Sequence, residues 1–438
     1  MSQKVPIVAI VGRANVGKSS LFNALIGRRE AIVAMEPGTT RDRITAKATA
    51  GGKDFWLVDT AGMKGAEDEF ELGIQEQIQE AADSASVILV VAEASVPITA
   101  EDRRVAKMAL KSRKQVLLVV NKMDKNRKAG LDAWRALGIK VIIGTSTTQK
   151  TGITELLNAV AKNLPDAKIP KPSNLIRISI LGRPNVGKSS LFNSLAAKQQ
   201  ALVAPQAGTT RDVNRLGLRY KSRDIEIADT AGIRRPGRIE RGVEHFSVLR
   251  SMAAIEESDL CLLVMDSAEP NTQLDQKIAG MIKDAGKGLI IVLNKWDAVE
   301  SDTTREGLGA QTSAAFPFAP WAPLVFTSAV SGLNVTKLLE LALEIDSARR
   351  TKFQTAELNR WLRDTVDSKE PPPSRRMLPK LNYMVQEDDI DMPSFKIFGA
   401  HTKFLHWSYK RYLERRFRER WPLSGTPLKF WFIDKREG

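Results

Sequence analysis

Through residues 1–350, short and almost wholly apolar runs alternate with longer amphipathic stretches. VPIVAIVG (5–12), FWLVDT (55–60), SVILVVAEA (86–94) and QVLLVVNK (115–122) set the pattern. A run that is apolar at every position belongs to a strand buried on both faces, and helix-length amphipathic segments between such runs supply the cover. The pattern predicts an α/β fold built on a doubly wound parallel sheet, whose ligand loops lie at the carboxyl ends of the strands. After Thr351 the order changes. A helix (352–367), two strands (379–386 and 394–398), a helix (403–420) and a final strand (427–434) predict a small α+β domain.

The chain also repeats itself. GRANVGKSSLFNAL (Gly12 to Leu25) and GRPNVGKSSLFNSL (Gly182 to Leu195) are identical at 12 of 14 positions. GTTRD begins at Gly38 and Gly208, DTAG at Asp59 and Asp229, and NKMD at Asn121 is answered by NKWD at Asn294. Two related domains in tandem follow, over 1–164 and 175–350, joined by the proline-containing linker PDAKIPKPSN (165–174) and followed by the α+β unit over 351–438. A length of 438 residues agrees with about three domains.

Composition narrows the classes. With 43% hydrophobic and 27% charged residues the chain is globular, and no run approaches the roughly 20 apolar residues of a membrane span. No stable membrane association is expected. The single cysteine, Cys261, lies in the apolar run DLCLLVMD and reads as a buried thiol, which fits a reducing cytoplasm. The excess of 66 basic over 51 acidic residues, net +15, favours phosphate-rich partners such as RNA.

The pattern GxxxxGK[ST] occurs as Gly12, Gly17, Lys18, Ser19 and as Gly182, Gly187, Lys188, Ser189, each between an apolar strand and a helical stretch. The glycines let backbone N–H groups close around phosphates, the lysine neutralises the outer phosphates and the serine hydroxyl binds magnesium. Ser20 and Ser190 are counted with this cradle. Chance gives one such match in roughly one or two per cent of chains this long, so a pair in the same context is not chance. Asp59 and Asp229 place a carboxylate at a strand end facing the metal, and Gly62 and Gly232 offer a backbone N–H to the γ-phosphate. In GTTRD the second threonine, Thr40 and Thr210, is assigned to magnesium, with Thr39 and Thr209 as the rival choice. Lys18, Thr40 and Gly62, with Lys188, Thr210 and Gly232, form the expected catalytic sets.

NKxD selects the base. The carboxylates of Asp124 and Asp297 accept from the N1–H and 2-amino donors of guanine, a pair that adenine lacks, so GTP and GDP are expected. Asn121 and Asn294 brace the loop, and the stems of Lys122 and Lys295 lie over the base. Ser146, in VIIGTSTTQKTG, and Ser328 with Ala329, in PLVFTSAVSGLN, are the supporting loops; Thr147 stands where a small alanine is usual.

Together these residues resemble the Der family, also called EngA, of bacterial GTPases with two tandem G domains and a carboxyl-terminal KH-like domain, and the resemblance covers essentially the whole chain. It implies GTP hydrolysis coupled to maturation of the large ribosomal subunit through contact with ribosomal RNA. A monomeric, cytoplasmic protein is expected. Met63 and Ile233 stand where many small G proteins place a water-orienting glutamine, as is usual in Der-like GTPases, so unaided hydrolysis is expected to be slow. By the same resemblance, Asn15 and Asn185 stand at a potassium ligand position, which implies a potassium activator beside magnesium.

Residues 351–438 hold 18 basic against 12 acidic residues but no GxxG, the loop with which KH modules clamp a nucleic-acid backbone. Lys410, Arg411, Arg415, Arg416, Arg418 and Arg420 concentrate the charge, whereas Leu405, Tyr409, Leu413, Phe417 and Trp421 recur every four residues and read as core. Trp361, Trp407, Trp421 and Trp431 are expected in the core as well. Arg234, Arg235, Arg238 and Arg241 form a second basic cluster after DTAG that would follow the nucleotide state. His245, His401 and His406 have no metal-ligand spacing. A tRNA-modification or membrane-remodelling G protein and a non-hydrolysing scaffold are the competing classes. The lack of a reactive cysteine, of an amphipathic anchor and of any gap in the magnesium ligands weighs against each in turn.

Overall fold

The computed structural model describes residues 5–26, 45–59, 78–126, 130–165, 175–202, 215–229, 248–299, 302–373, 377–388 and 391–434. The chain divides into two compact units, one of Gln3–Ile169 with Ser247–Glu256 and the other of Pro170–Phe246 with Glu257–Gly438.

In the first unit, β1 (Ile7–Val11), α1 (Lys18–Ile26), β2 (Thr45–Ala50), β3 (Lys53–Asp59), β4 (Val87–Glu93), α2 (Ala100–Lys111), β5 (Gln115–Asn121), β6 (Val141–Gly144) and α3 (Ile153–Asn163) follow in order. The sheet runs β2-β3-β1-β4-β5-β6. All neighbours are parallel except the edge pair β2–β3, which is antiparallel. That pair is a hairpin. Gly51 (φ 56) and Gly52 (φ 75) supply the two left-handed residues that match its turn to the twist of the strands. One face of the sheet packs Val8, Ile10, Leu89 and Leu117 against Leu21, Phe22 and Leu156 of the helices. Thr99 and Asp102 cap α2 reciprocally, each side chain accepting from the other's backbone N–H.

The second unit repeats the plan with β7 (Leu175–Leu181), α4 (Lys188–Leu202), β8 (Arg215–Tyr220), β9 (Arg223–Asp229), β10 (Leu260–Asp266), α6 (Gln273–Asp284), β11 (Gly288–Asn294), α7 (Asp302–Ala315), β12 (Leu324–Phe326) and α8 (Val335–Arg349). Here α5 (Val248–Glu257) belongs with the first unit up to Glu256. The buried Glu256 carboxylate accepts from the Trp56 indole N–H and from the Val5 backbone N–H at 3.2 Å, and Arg250 pairs with Glu80 at 3.0 Å. A buried carboxylate held by two donors is satisfied in a way that an apolar neighbourhood alone would not allow.

Cys261 lies fully buried in β10, with the Ser258 hydroxyl 3.2 Å from its sulfur. Burial pushes its pKa up from 9.0 to about 12, the Ser258 contact acting weakly against it. The unfolded chain loses this proton first as pH rises, so the thiol's contribution to stability is complete below about 9 and is lost between there and about 12. At pH 8 the native protein should leave Cys261 unlabelled by iodoacetamide and label one thiol per chain in denaturant, as mass spectrometry would read; native labelling at the denatured rate would contradict this placement.

The carboxyl-terminal unit consists of α9 (Thr355–Ser368), β13 (Lys380–Gln386), β14 (Ser394–Ala400), α10 (Trp407–Arg420) and β15 (Lys429–Asp434). Its three-stranded sheet, β13-β14-β15, is antiparallel then parallel. The last helix starts four residues later than its apolar spacing predicts. His401 takes a left-handed conformation (φ 56), Thr402–Phe404 forms a 3-10 turn, and the His406 side chain caps the helix by accepting from the Ser408 N–H. Leu405, Tyr409, Leu413 and Phe417 are buried and Trp421 packs beside them. Gly425 (φ 69) docks this unit on the second sheet, its N–H on the Trp321 carbonyl and its own carbonyl on the Leu289 N–H. A Cβ at 425 would stand 2.2 Å from Ile345 Cδ1.

Two expectations for this unit are corrected. Trp361 and Trp421 pack on the core and Trp431 is half-buried, but Trp407 is 44% exposed, because it falls off the four-residue apolar stripe. Arg418 is not part of the exposed charge. Its guanidinium is turned inward to Glu414 and to the Leu423 and Thr426 carbonyls, 5.7 Å from the Trp321 ring centroid.

Candidate functional site

Each phosphate loop is fixed by what its glycines exclude. A Cβ on Gly12 would meet the Val91 carbonyl oxygen at 2.4 Å, and one on Gly182 the Val264 oxygen at 2.2 Å. Gly17 (φ 94) and Gly187 (φ 92) likewise lie against the side-chain amides of Asn121 and Asn294, at 2.5 and 2.3 Å for an added Cβ. Asn15 and Asn185 take the left-handed conformation (φ 62 and 64) that turns successive loop N–H groups inward. Lys18 is buried, and its ammonium donates to the Gly12 and Arg13 carbonyls at 2.7 and 2.6 Å. Lys188 donates to the Arg183 carbonyl at 2.6 Å. Burial holds the Lys18 pKa below the usual lysine range, opposed by the Asp59 charge.

The serine at the head of each helix meets the aspartate at the end of the neighbouring strand. Ser19 Oγ donates to Asp59 Oδ2 at 2.6 Å and Ser189 Oγ to Asp229 Oδ2 at 2.8 Å. A hydroxyl and a carboxylate oxygen at this separation are the hard donors that magnesium takes, so the residues present fit that ion. Ser20 and Ser190 follow on the exposed side of the same helices.

The asparagines bind the two halves of each site together. Asn121 Nδ2 donates to the Val16 carbonyl at 3.1 Å and Asn294 Nδ2 to Val186 at 3.0 Å, tying the base loop to the phosphate loop. Thr145 and Thr327 donate to the asparagine oxygens at 3.2 and 3.3 Å, and the Ala329 N–H adds a bond at 3.2 Å in the second copy. Ser146 Oγ donates to Asp124 Oδ1 at 2.5 Å, while Ser328 Oγ accepts from the Ser331 N–H at 3.1 Å. Asp297 is exposed on its 3-10 turn.

Several participants went unread in the sequence. Glu93, the last residue of β4, pairs with the Lys122 ammonium at 3.0 Å, and Asp266, the last of β10, with Lys295 at 2.7 Å. The Ser95 hydroxyl, then Lys122, hold the Glu93 pKa below the usual carboxylate range. Partial burial works against the Asp266 carboxylate, but Lys295 and the Ala268 N–H outweigh it and lower its pKa too. Arg13 and Arg183 are anchored at 3.3 Å on Asp102 and Asp275, the capping residues of α2 and α6. A lone carboxylate closing an apolar run, at matching places in the two copies, was the available signal.

Thr39, Thr40, Gly62, Met63, Thr209, Thr210, Gly232, Ile233, the arginines 234, 235, 238 and 241, His245 and positions 166–174 of the linker lie outside the described residues. Among those described, no group of three or more His, Cys, Asp or Glu could hold a metal, and no helix is long and apolar enough to cross a membrane.

The model of the 50S ribosome-binding GTPase family matches residues 7–122 and 177–295, and that of the KH-domain-like carboxyl-terminal domain of EngA bacterial GTPases matches 352–432. GTPase Der of Thermomicrobium roseum is 41% identical over 98% of this chain and 96% of its own. GTPase Der of Gemmatimonas aurantiaca is 39% identical over 97% and 98%. Among solved structures, the G domain of the T. maritima FeoB iron transporter is 27% identical over 36% of this chain and 98% of its own, with a TM-score of 0.28. Two P-loop folds with guanine-type base loops, followed by a KH-like unit, define a tandem-domain GTPase, an enzyme that hydrolyses GTP. The chain belongs to the Der family.

Proposed function

We propose that the chain binds one GTP in each G domain and uses hydrolysis as a switch in assembly of the large ribosomal subunit, contacting ribosomal RNA. The G domains span 1–164 and 175–350, and the KH-like domain 351–438. The observation that carries the reading is the doubled geometry: in each copy a buried lysine, a serine–aspartate pair and an asparagine converge on one phosphate loop. Ser19 and Asp59 with Thr40, and Ser189 and Asp229 with Thr210, would hold magnesium, which supplies charge neutralisation at the β- and γ-phosphates. Gly12, Gly17 and Lys18, with Gly182, Gly187 and Lys188, hold the phosphates; Gly62 and Gly232 meet the γ-phosphate; Asp124 and Asp297 read the base. Large-subunit assembly is supported by Der membership, by the family description of a 50S ribosome-binding GTPase and by the net charge of +15.

Purified protein should take up two guanine nucleotides per chain and exclude adenine nucleotides; fewer than two sites, or a preference for ATP, would sink the reading. It should also sediment with large ribosomal particles differently under a GTP analogue and GDP, and equal sedimentation would remove the switch. Asn15 and Asn185 are proposed potassium ligands, so replacing sodium by potassium should raise turnover; unchanged rates in both domains would refute that assignment.

A further inference from the structure

We infer that the exposed ridge of α10 is a docking site for single-stranded RNA, with Trp407 as the residue on which an unpaired base stacks. The inference rests on the proposed RNA contact and supplies the surface that the missing GxxG loop leaves undefined. Trp407 is 44% exposed, although tryptophan is among the residues most buried on average. The Arg411 guanidinium lies 4.7 Å from its ring centroid, which holds the indole in place from one side. Arg415 continues the ridge one turn further, 6.0 Å from Tyr412, whose ring is also approached by Lys369 at 5.3 Å. Lys403 and Lys410 are exposed, their ammonium groups 5.2 and 5.1 Å from the Phe404 and Phe432 ring centroids.

Part of the charge on this ridge is available to a polyanion. Glu419 engages Arg415 and Arg416, and Glu414 engages Arg418, but Lys410 and Arg411 have no carboxylate partner among the described residues. Trp407, Arg411 and Arg415 lie along about 12 Å of the helix, so two cations continue from the ring on a line that a nucleic-acid backbone could follow. A ring presented outward can meet only an unstacked base, which selects single strands over duplex. A membrane surface is disfavoured because the apolar face of α10, Tyr409, Leu413 and Phe417, is already buried in the domain core.

The test uses the full chain and a fluorescent oligouridylate, read by anisotropy beside GTP hydrolysis. Base stacking on an aromatic is worth about 1–3 kcal/mol, so Trp407→Ala should weaken binding roughly 5- to 150-fold. Trp407→Phe should recover most of the affinity, and hydrolysis should be unchanged in both. Lys410→Gln and Arg411→Gln should each flatten the dependence of log K on log salt by about 0.7. Wild-type affinity in Trp407→Ala, binding of an RNA hairpin stem as tight as of the single strand, or Trp407-dependent capture on phosphatidylserine vesicles would overturn the inference. Protein that sediments with large ribosomal particles but ignores Trp407 with the oligomer refutes this site alone. Protein that binds the oligomer through Trp407 but no ribosomal particle refutes the assembly reading alone.

Discussion

Replacing Lys18 or Lys188 by alanine should lower single-turnover GTP hydrolysis at the altered site by about 10²–10³-fold, the usual loss when one preorganised charge is taken from a reacting phosphoryl or acyl group. Both ammonium groups are parked on carbonyls of their own phosphate loop, Lys18 on Gly12 and Arg13 and Lys188 on Arg183. Entering phosphate oxygens would take over those bonds, and the charge would act from a largely buried position, where it is worth more than in water. Each single variant should retain the turnover of the other domain, and the double variant should retain neither. Burial already disfavours the charged form of Lys18, so its removal takes away an ammonium that the fold itself holds at a cost. A double variant that hydrolyses GTP at the wild-type rate would refute the assignment of both loops.

The features legible in the sequence were those carried by contiguous residues. The phosphate loops, DTAG and NKxD are short, and their chemistry is fixed by residue type, so their positions at strand ends followed from the apolar runs. Features that depend on distant partners were not legible. Nothing near Glu256 signals that it accepts from Val5 and Trp56, which lie 251 and 200 residues away. The edge strand β2, TAKATA, carries too little apolar signal to stand out as a strand, and its antiparallel direction comes from the hairpin at Gly51 and Gly52. The late start of α10 was hidden because Leu405 fits the helical stripe while sitting just before the helix, buried from an extended backbone. Trp407 is the instructive miss. Residue type pointed inward, whereas its phase relative to Leu405, Tyr409 and Leu413 pointed outward, and phase prevailed.

Exchanging Asp297 for asparagine should move the second site from guanine to xanthine nucleotides. The carboxylate offers two acceptors to the N1–H and 2-amino donors of guanine; an amide offers one acceptor and sets a donor against the 2-amino group. The amide oxygen keeps the N1–H bond, and losing the 2-amino bond to a charged acceptor costs about 1.5–3 kcal/mol, or roughly 10- to 150-fold in GDP affinity, before any donor–donor repulsion. Xanthine keeps N1–H and carries an oxygen in place of the 2-amino group, so the amide meets it with one acceptor and one donor. Asp297 is exposed, and the brace of its loop runs through Asn294 to Val186, so the phosphate side of the site should be unaffected. The same exchange at Asp124 should switch the first site, with an added difference: Ser146 donates to that carboxylate at 2.5 Å and must redirect its hydroxyl when an amide nitrogen takes the oxygen's place. Titration of each variant with labelled GDP and xanthosine diphosphate would read the switch, and unchanged GDP affinity in both would show that neither aspartate reads the base.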